Sequence, residues 1–432
     1  MARSRILNGF FSLALIAAVV ALLSTGCARP KPLARPSLDT PVSFDVAVRM
    51  IAFDLFAQIS NQQKLTAKRQ LPTFETDTSG KIGKVRVKKQ QPGAGDVPTS
   101  FMADVIMNAD TGEEIELNKQ ILELIQMTAT NSFPSYSVVE INSENVNQAN
   151  FVIIGVIKNE IYNNQTTKLP HLFLSAVDMK NSQVMAHSEV WISNQDMKFQ
   201  PTALYSDSPM FLKDPRAEKV IATARAAAGS VVDSNYFSTM ETNGLLTEAS
   251  TAYNSGDYPL AVELFSKVAR RDDGQVMKTY AGLYQAYFKL RQLTEAEAAF
   301  AKLTEIGIKN GTLSVKFLFQ VGDTSFFGSS EQVAEYDIWL RQISRKIAES
   351  QSCVEISGHA SHSGSADFNK KLSDKRAHTI QKRLLEVSPV IAKNTVAIGR
   401  GFEENIVGSG TDDIRDAIDR RVEFKVLDCS KM

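Results

Sequence analysis

The stretch from Cys353 to Leu427 constrains this chain most, because its spacing admits few folds. Val354-Glu355-Ile356 reads as a strand, and Gly358 and Gly364 allow a sharp turn before a long helical pattern. In that pattern Asn369 and Arg376 lie seven residues apart, so a helix puts them on one face. Ala377, Ile380 and Leu384 follow at helical spacing as an apolar stripe beside that face. The polar pair is therefore expected at the border of the buried side, where a ligand could be held between helix and turn. Ser361 falls in the turn near the expected helix N-terminus, where backbone N–H groups can meet an anion. Val422 to Leu427 reads as a closing strand, and the alternating Val315–Phe319 and helical Glu331–Ile347 precede the segment.

The order VEISGHASHSGSADFNKKLSDKRAHTIQKRLLE, then VAIGRGFEEN, then DRRVEFKV resembles the OmpA-like domain of peptidoglycan-associated lipoprotein and flagellar stator proteins. That family runs strand, Gly-His-Thr-Asp, glycine turn, a helix reading Asn-x-x-Leu-Ser-x-x-Arg-Ala, a Gly-containing strand end and an Asn-Arg-Arg-Val strand. The likeness covers about the last 120 residues and implies an OmpA-like α/β sandwich over 309–432. It also implies a ligand, the diaminopimelate residue of the peptidoglycan stem peptide, which presents an ammonium beside a carboxylate. Arg376 matches the family's arginine, whose planar fork suits a carboxylate; the plain alternative is an exposed helix arginine with no partner. Ser361, Asn369, Arg376 and Arg420 are the peptidoglycan-binding residues that the resemblance implies.

Three positions depart from the pattern. Ser361 stands where the family has aspartate, Ala360 replaces threonine, and Asp419 replaces the first asparagine of Asn-Arg-Arg. A neutral hydroxyl bonds about half as strongly as a charged partner. Losing the charge-assisted bond costs about 1–3 kcal/mol, roughly 5- to 150-fold in affinity. Asp367 and Asp419 are candidates to restore the charge. His359 and His362 form a His-x-x-His pair, but no third ligand stands nearby, so no metal or other cofactor is expected.

The N-terminus carries Arg3 and Arg5, an apolar run from Phe10 to Leu23, and Leu23-Ser24-Thr25-Gly26-Cys27. This describes a secretory signal peptide over 1–26. The cysteine after glycine resembles a bacterial lipobox, although Ser24 stands where leucine is usual. Lipidation at Cys27 with palmitate-like acyl chains is expected, and Ala28 in place of aspartate favours the outer membrane. An uncleaved anchor is the alternative, but a spanning helix wants about 20 apolar residues. Buried acyl methylenes contribute roughly 0.8 kcal/mol each. Export also makes Cys353 and Cys429 candidates for a disulfide, worth roughly 4 kcal/mol on the chain-entropy model. Two free thiols at separate strand ends are the alternative.

Residues 27–41 hold four prolines and read as a tether. Residues 42–240 read as a periplasmic α/β domain whose layout faintly resembles CsgG-like, FlgO-like and penicillin-binding-protein-activator lipoproteins. Helices are expected over Phe44–Ile59 and Leu117–Met127. Strands are expected at Phe101–Met107, Tyr136–Ile141, Phe151–Ile157, Leu172–Val177 and Val184–Ile192. Lys81, Lys84, Arg86, Lys88 and Lys89 form a basic cluster, read as a solvated loop or a contact for anionic lipid heads. Within 241–308, Tyr258, Ala261 and Phe265 recur as Leu293, Ala296 and Phe300 at an offset of 35. The pattern resembles tetratricopeptide repeats. Two copies fall short of about three needed for stability, so the Arg216–Val232 helix or the next domain is expected to cap them.

Lysine plus arginine equals aspartate plus glutamate at 48 each, which argues against a nucleic-acid binder. No phosphate loop, nucleophile elbow or zinc-protease helix points to an enzyme. The expectation is a multidomain α+β chain: an α/β domain, short tetratricopeptide-like helical hairpins, and the OmpA-like sandwich. Its expected role is a lipid-anchored outer-membrane scaffold, facing the periplasm, that links the membrane or an envelope complex to peptidoglycan. Residues 42–308 would meet a protein partner. The alternative is a secretion or motility subunit, or an activator of a wall-synthesis enzyme, acting through protein contacts without strong peptidoglycan binding.

Overall fold

The computed structural model describes residues 38–69, 99–163, 168–194, 197, 199–405, 410 and 414–431. Cys27, the tether and the Lys81–Lys89 cluster lie outside them. Among the described residues no helix is long and apolar enough to cross a membrane.

The first sheet contains β1 (Thr99–Ala103), β2 (Met107–Asn108), β3 (Tyr136–Glu140), β4 (Phe151–Ile161), β5 (Lys168–Asp178) and β6 (Gln183–Trp191), in order β3-β1-β4-β5-β6 with β2 on β4. β1 runs parallel to β3 and β4, while β4, β5 and β6 form an antiparallel meander. Both faces are covered, which is why β4 begins as the unbroken apolar run FVIIGVI. Phe151, Ile153 and Ile157 face α1 (Phe44–Arg69) and α2 (Asn118–Ser132), whereas Val152, Ile154 and Val156 face the opposite core. The expected face of α1, from Phe44 through Ile59, is buried throughout. Gln58 Nε2 and Gln62 Nε2 donate to the carbonyls of His187 and Met185 on β6 at 2.8 Å each, pinning the helix to the sheet.

The helix expected over Arg216–Val232 is shorter than its pattern and lies elsewhere. Asp214 starts it, its side chain accepting from the N–H groups of Arg216 and Ala217, with Pro215 in the first turn. After α3 (Ala203–Asp207), this α4 (Pro215–Ala224) buries Val220 and Ala224 on the first sheet instead of capping the hairpins. A short α5 (Ser234–Ser238) follows.

Two helical hairpins come next: α6 (Met240–Asn254) with α7 (Tyr258–Ala269), and α8 (Met277–Lys289) with α9 (Leu293–Asn310). The Gly256-Asp257-Tyr258 turn has a local cause. Gly256 takes φ +83°, and Asp257 then accepts the Leu260 N–H at 3.1 Å. Gly282 permits a close contact between hairpins, since a Cβ there would lie 2.3 Å from the Phe265 ring.

α9 ends on Gly311 in the left-handed region, and β7 (Thr312–Leu318) begins at the next residue, so no linker intervenes. The second sheet has order β7-β10-β8-β9, with β8 (Cys353–Gly358), β9 (Thr395–Gly399) and β10 (Arg421–Leu427). β8 and β9 are parallel, while β10 runs antiparallel to both β7 and β8. α10 (Ser330–Ser350) and α11 (Ala366–Val387) cover this sheet through Trp339, Ile343, Ile347, Ala377, Ile380 and Leu384. That core is continuous with the hairpins: Trp339 stacks on Phe300 of α9 at 5.9 Å. The cap over the last hairpin is therefore α10. Residues 209–211 also pair with the free edge of β7, with Lys316 N–H donating to Pro209 O and Phe211 N–H to Ser314 O.

Candidate functional site

β7, β8 and β9 run in one direction, so their carboxyl ends and the start of β10 converge on one edge of the second sheet. The loops leaving these strands, 319–323, 359–364 and 400–405, meet there beneath α11. Such an edge is where open α/β sheets usually hold ligands.

Helix α11 approaches this edge unusually closely. A Cβ on Gly358 would sit 2.0 Å from Ser373 O, and one on Gly399 would sit 2.4 Å from Asp374 N. The glycine of the Gly-His pair is thus needed for helix contact, and Gly364, at φ +89°, supplies the turn. Ser365 opens α11 by accepting from Phe368 N–H. Ser373 Oγ on the helix accepts from Gly401 N–H at 2.9 Å, and Gly401 O accepts from Ala360 N–H at 2.8 Å.

Arg376 lies at the centre. It is 0% exposed, deeper than the border position that its spacing predicts, because the 319–323 loop covers it. Nε donates to Asp323 O at 3.0 Å, Nη1 to His359 O at 3.1 Å and Nη2 to Gln320 O at 2.8 Å. The guanidinium also lies 5.2 Å from the Phe319 ring centroid. One side chain thereby ties the loops after β7 and β8 to the helix through all three of its guanidinium nitrogens.

Asn369, 2% exposed, donates to Ser363 O at 2.7 Å. Arg420, 3% exposed, donates from Nε to Phe319 O at 3.2 Å. Ser361, 5% exposed, sits between these anchor points. The structure therefore places all four implied residues around one loop cluster, and all four are buried. Of the two candidate carboxylates, Asp419 is buried and Asp367 lies exposed in the first turn of α11. A third, Asp323, has no counterpart in the sequence reading. The Thr324 N–H and the Ser325 hydroxyl hold its carboxyl below the usual range, with Arg376 adding to the shift. Only the return of the β7 loop over α11 brings Asp323 here, so sequence spacing carried no signal for it. Asn405 is likewise a tertiary addition: its side-chain amide lies within 2.9 Å of Ala360 O and 3.2 Å of His362 N, and with its nitrogen turned toward Ala360 O it satisfies both groups.

The two histidines diverge. His359 is 0% exposed with no hydrogen bond at either ring nitrogen; burial, with Arg421 and Arg400 nearby, lowers its pKa to about 3. His362 packs on Phe402 at 4.4 Å. No group of three His, Cys, Asp or Glu side chains placed to hold a metal occurs among the described residues. At the opposite end of the sheet Cys353 and Cys429 are bonded, with Cα atoms 5.1 Å apart and a sequence separation of 76.

Residues 326–418 match the model of the OmpA family. The C-terminal domain is OmpA-like. Among solved structures, this OmpA-like region is similar to the peptidoglycan-associated lipoprotein of Burkholderia pseudomallei, at 21% identity and TM-score 0.23, covering 26% of this chain and 89% of that one. It is similar to the cell wall anchor of the T6SS of Pseudomonas aeruginosa, at 23% identity and TM-score 0.22, covering 26% and 78%. The C-terminal domain of Helicobacter pylori MotB matches at 14% identity and TM-score 0.22, covering 26% and 84%. No curated protein matched the chain.

Proposed function

We propose that this chain is a cell-envelope scaffold whose OmpA-like domain holds the peptidoglycan stem peptide at the loop cluster around Arg376. The observation that carries this reading is the OmpA family match over 326–418, on a domain whose matching residues converge at one sheet edge. The stem peptide's carboxylate would be drawn to Arg376 and Arg420, and its ammonium to Asp323, an exposed acid of the cluster. In this reading Cys27 is lipidated, 27–41 is the tether from the outer membrane, and 42–240 with the tetratricopeptide-like hairpins over 241–308 meets a periplasmic protein.

Two features support a second reading, in which the domain serves protein contacts within an envelope apparatus. Serine stands at 361, and Arg376 already spends three donors on carbonyls. Sedimentation of residues 28–432 with purified peptidoglycan separates the two. We expect wild type to pellet, Asp323→Asn to pellet about 5- to 150-fold more weakly, and Ser361→Asp to pellet at least as well. Wild type remaining in solution while Ser361→Asp pellets would establish the second reading.

A further inference from the structure

A groove of about 520 Å³ runs along α6 where the first sheet meets the first hairpin. Its volume is within the range of ligand pockets. One wall is a single face of α6 and its end, since Thr247, Glu248, Thr251, Ala252 and Ser255 recur at helical spacing. Leu260 and Leu264 of α7 form the second wall, and residues 140–142, where the chain leaves β3, form the third. These walls are fixed to one another. A Cβ on Gly244 would lie 2.5 Å from the Asn142 carbonyl carbon, so α6 touches the loop after β3 directly. Beside that contact Glu248 accepts from the Ser143 N–H and hydroxyl at 2.7 Å each.

Two properties of the groove restrict what can occupy it. Its base is apolar: Ile141, Ala252 and Leu264 line it, and Leu260 stands 41% exposed beside them. Its rim is acidic, with Glu140, Glu248 and Asp257 and no lysine or arginine. None of the three carboxylates has an ion-pair partner among the described residues, and Lys119 acts on Glu140 only as a more distant charge. The acids Glu113 and Glu114 are matched instead, by Lys316 and Lys278. A single metal ion does not supply the match, because among the described residues no three such groups are placed to hold one. Several cations spaced along a chain do supply it. Long lysine and arginine stems can lie on apolar surface and carry their charges out to a rim.

We propose that this groove docks an extended basic segment of a partner protein, in which lysine or arginine flanks a leucine-sized aliphatic side chain. The aliphatic group enters the base against Leu260 and Leu264, and the flanking cations meet Glu140, Glu248 and Asp257. This inference rests on the reading that residues 42–308 meet a periplasmic protein, and adds the surface and the chemistry of that contact. It is independent of the stem-peptide reading, since none of the loop-cluster residues lines the groove.

The test uses the soluble chain 28–432 and fluorescence anisotropy of a labelled peptide, acetyl-Lys-Leu-Arg-Leu-Lys-amide. One counterpart carries serine for both leucines, and another carries glutamate for all three basic residues. Saturable binding of the first peptide alone is expected. Thr251→Arg puts a cation into the groove and should weaken binding about tenfold or more; Leu260→Ser should weaken it as well. Both positions are exposed, so the Tm of each variant should match that of the parent, which separates lost docking from lost folding. No saturable binding, equal binding of the serine peptide, or undiminished binding by Thr251→Arg would each overturn the proposal. Replacing Lys81, Lys84, Arg86, Lys88 and Lys89 with serine covers the remaining occupant. If only that variant binds the peptide, the groove takes the chain's own basic segment and the partner proposal falls. Crosslinking of residues 42–308 to a periplasmic protein in cells, left intact by Thr251→Arg, would keep the broader reading and remove this groove from it.

Discussion

The two sheets of this protein are stabilised in different ways. The first closes its core with its own helices on both faces: one cluster runs from Phe44 to Ile192 and the other from Met102 to Met240. The second draws on the rest of the chain, because a single cluster runs from Leu204 through the hairpins to Phe424. Charge at the seam reinforces the difference. Lys316 Nζ pairs with Glu113 at 3.2 Å, and Lys278 pairs with Glu114, whose side chain is 4% exposed. A buried pair of this kind adds little net stability but penalises any arrangement that separates its members. The hairpins are thus structural parts of the OmpA-like domain, and the seam fixes their orientation to the first sheet.

Cutting the chain tests that contrast most severely. Residues 38–240 should unfold cooperatively by calorimetry. Residues 309–432 alone should melt well below the same domain in the full chain and bind a hydrophobic dye, because Trp339 loses its cover from Tyr284 and Phe300. Equal melting of this domain in fragment and full chain would end the comparison.

Next in size is Lys278→Met, which leaves Glu114 buried without its cation. Urea unfolding should show a loss of about 3–5 kcal/mol, and Lys278→Met with Glu114→Gln should recover much of it. Replacing Cys353 and Cys429 together by serine should cost about 2–4 kcal/mol, confined to the second sheet; the first-sheet fragment, which lacks both cysteines, should be indifferent to reductant.

The smallest effect concerns His359. Its folded pKa near 3 lies below the unfolded value near 6.5, so between them the unfolded chain binds more protons and stability falls as pH drops. At pH 5.5 this amounts to about 1.4 kcal/mol relative to pH 7.5. His171 and His187, also depressed by burial, act in the same direction. The difference between wild type and His359→Gln therefore isolates the one group. A pH dependence identical in both proteins would show that His359 binds its proton equally well in the folded and unfolded chain.

Local periodicity made several elements legible. The expected Phe151–Ile157 strand is β4, longer at its exposed end, and Glu331–Ile347 lies within α10. The Gly358, Asn369 and Arg376 pattern likewise located the site, because turn glycines and helix spacing are properties of the chain itself. The same patterns misjudged depth. Arg376 reads as a border residue on its own helix, and only the return of residues 319–323 makes it wholly buried. Phe101–Met107 read as one strand, yet the strand is interrupted between Ala103 and Met107, where Asp104 Oδ2 accepts from the hydroxyl of Tyr236, far along the sequence, at 2.9 Å.

What the sequence determined by itself was the type and order of most elements, the OmpA-like register of its last domain, and two cysteines that were candidates for a bridge. Tertiary structure decided which helix capped the hairpins, where Asp323 and Asn405 lay, and which carboxylates lined one groove. The physical reason is range. Helix and strand patterns arise from neighbours a few residues apart, whereas burial and hydrogen-bond satisfaction depend on segments that meet only when the chain is folded.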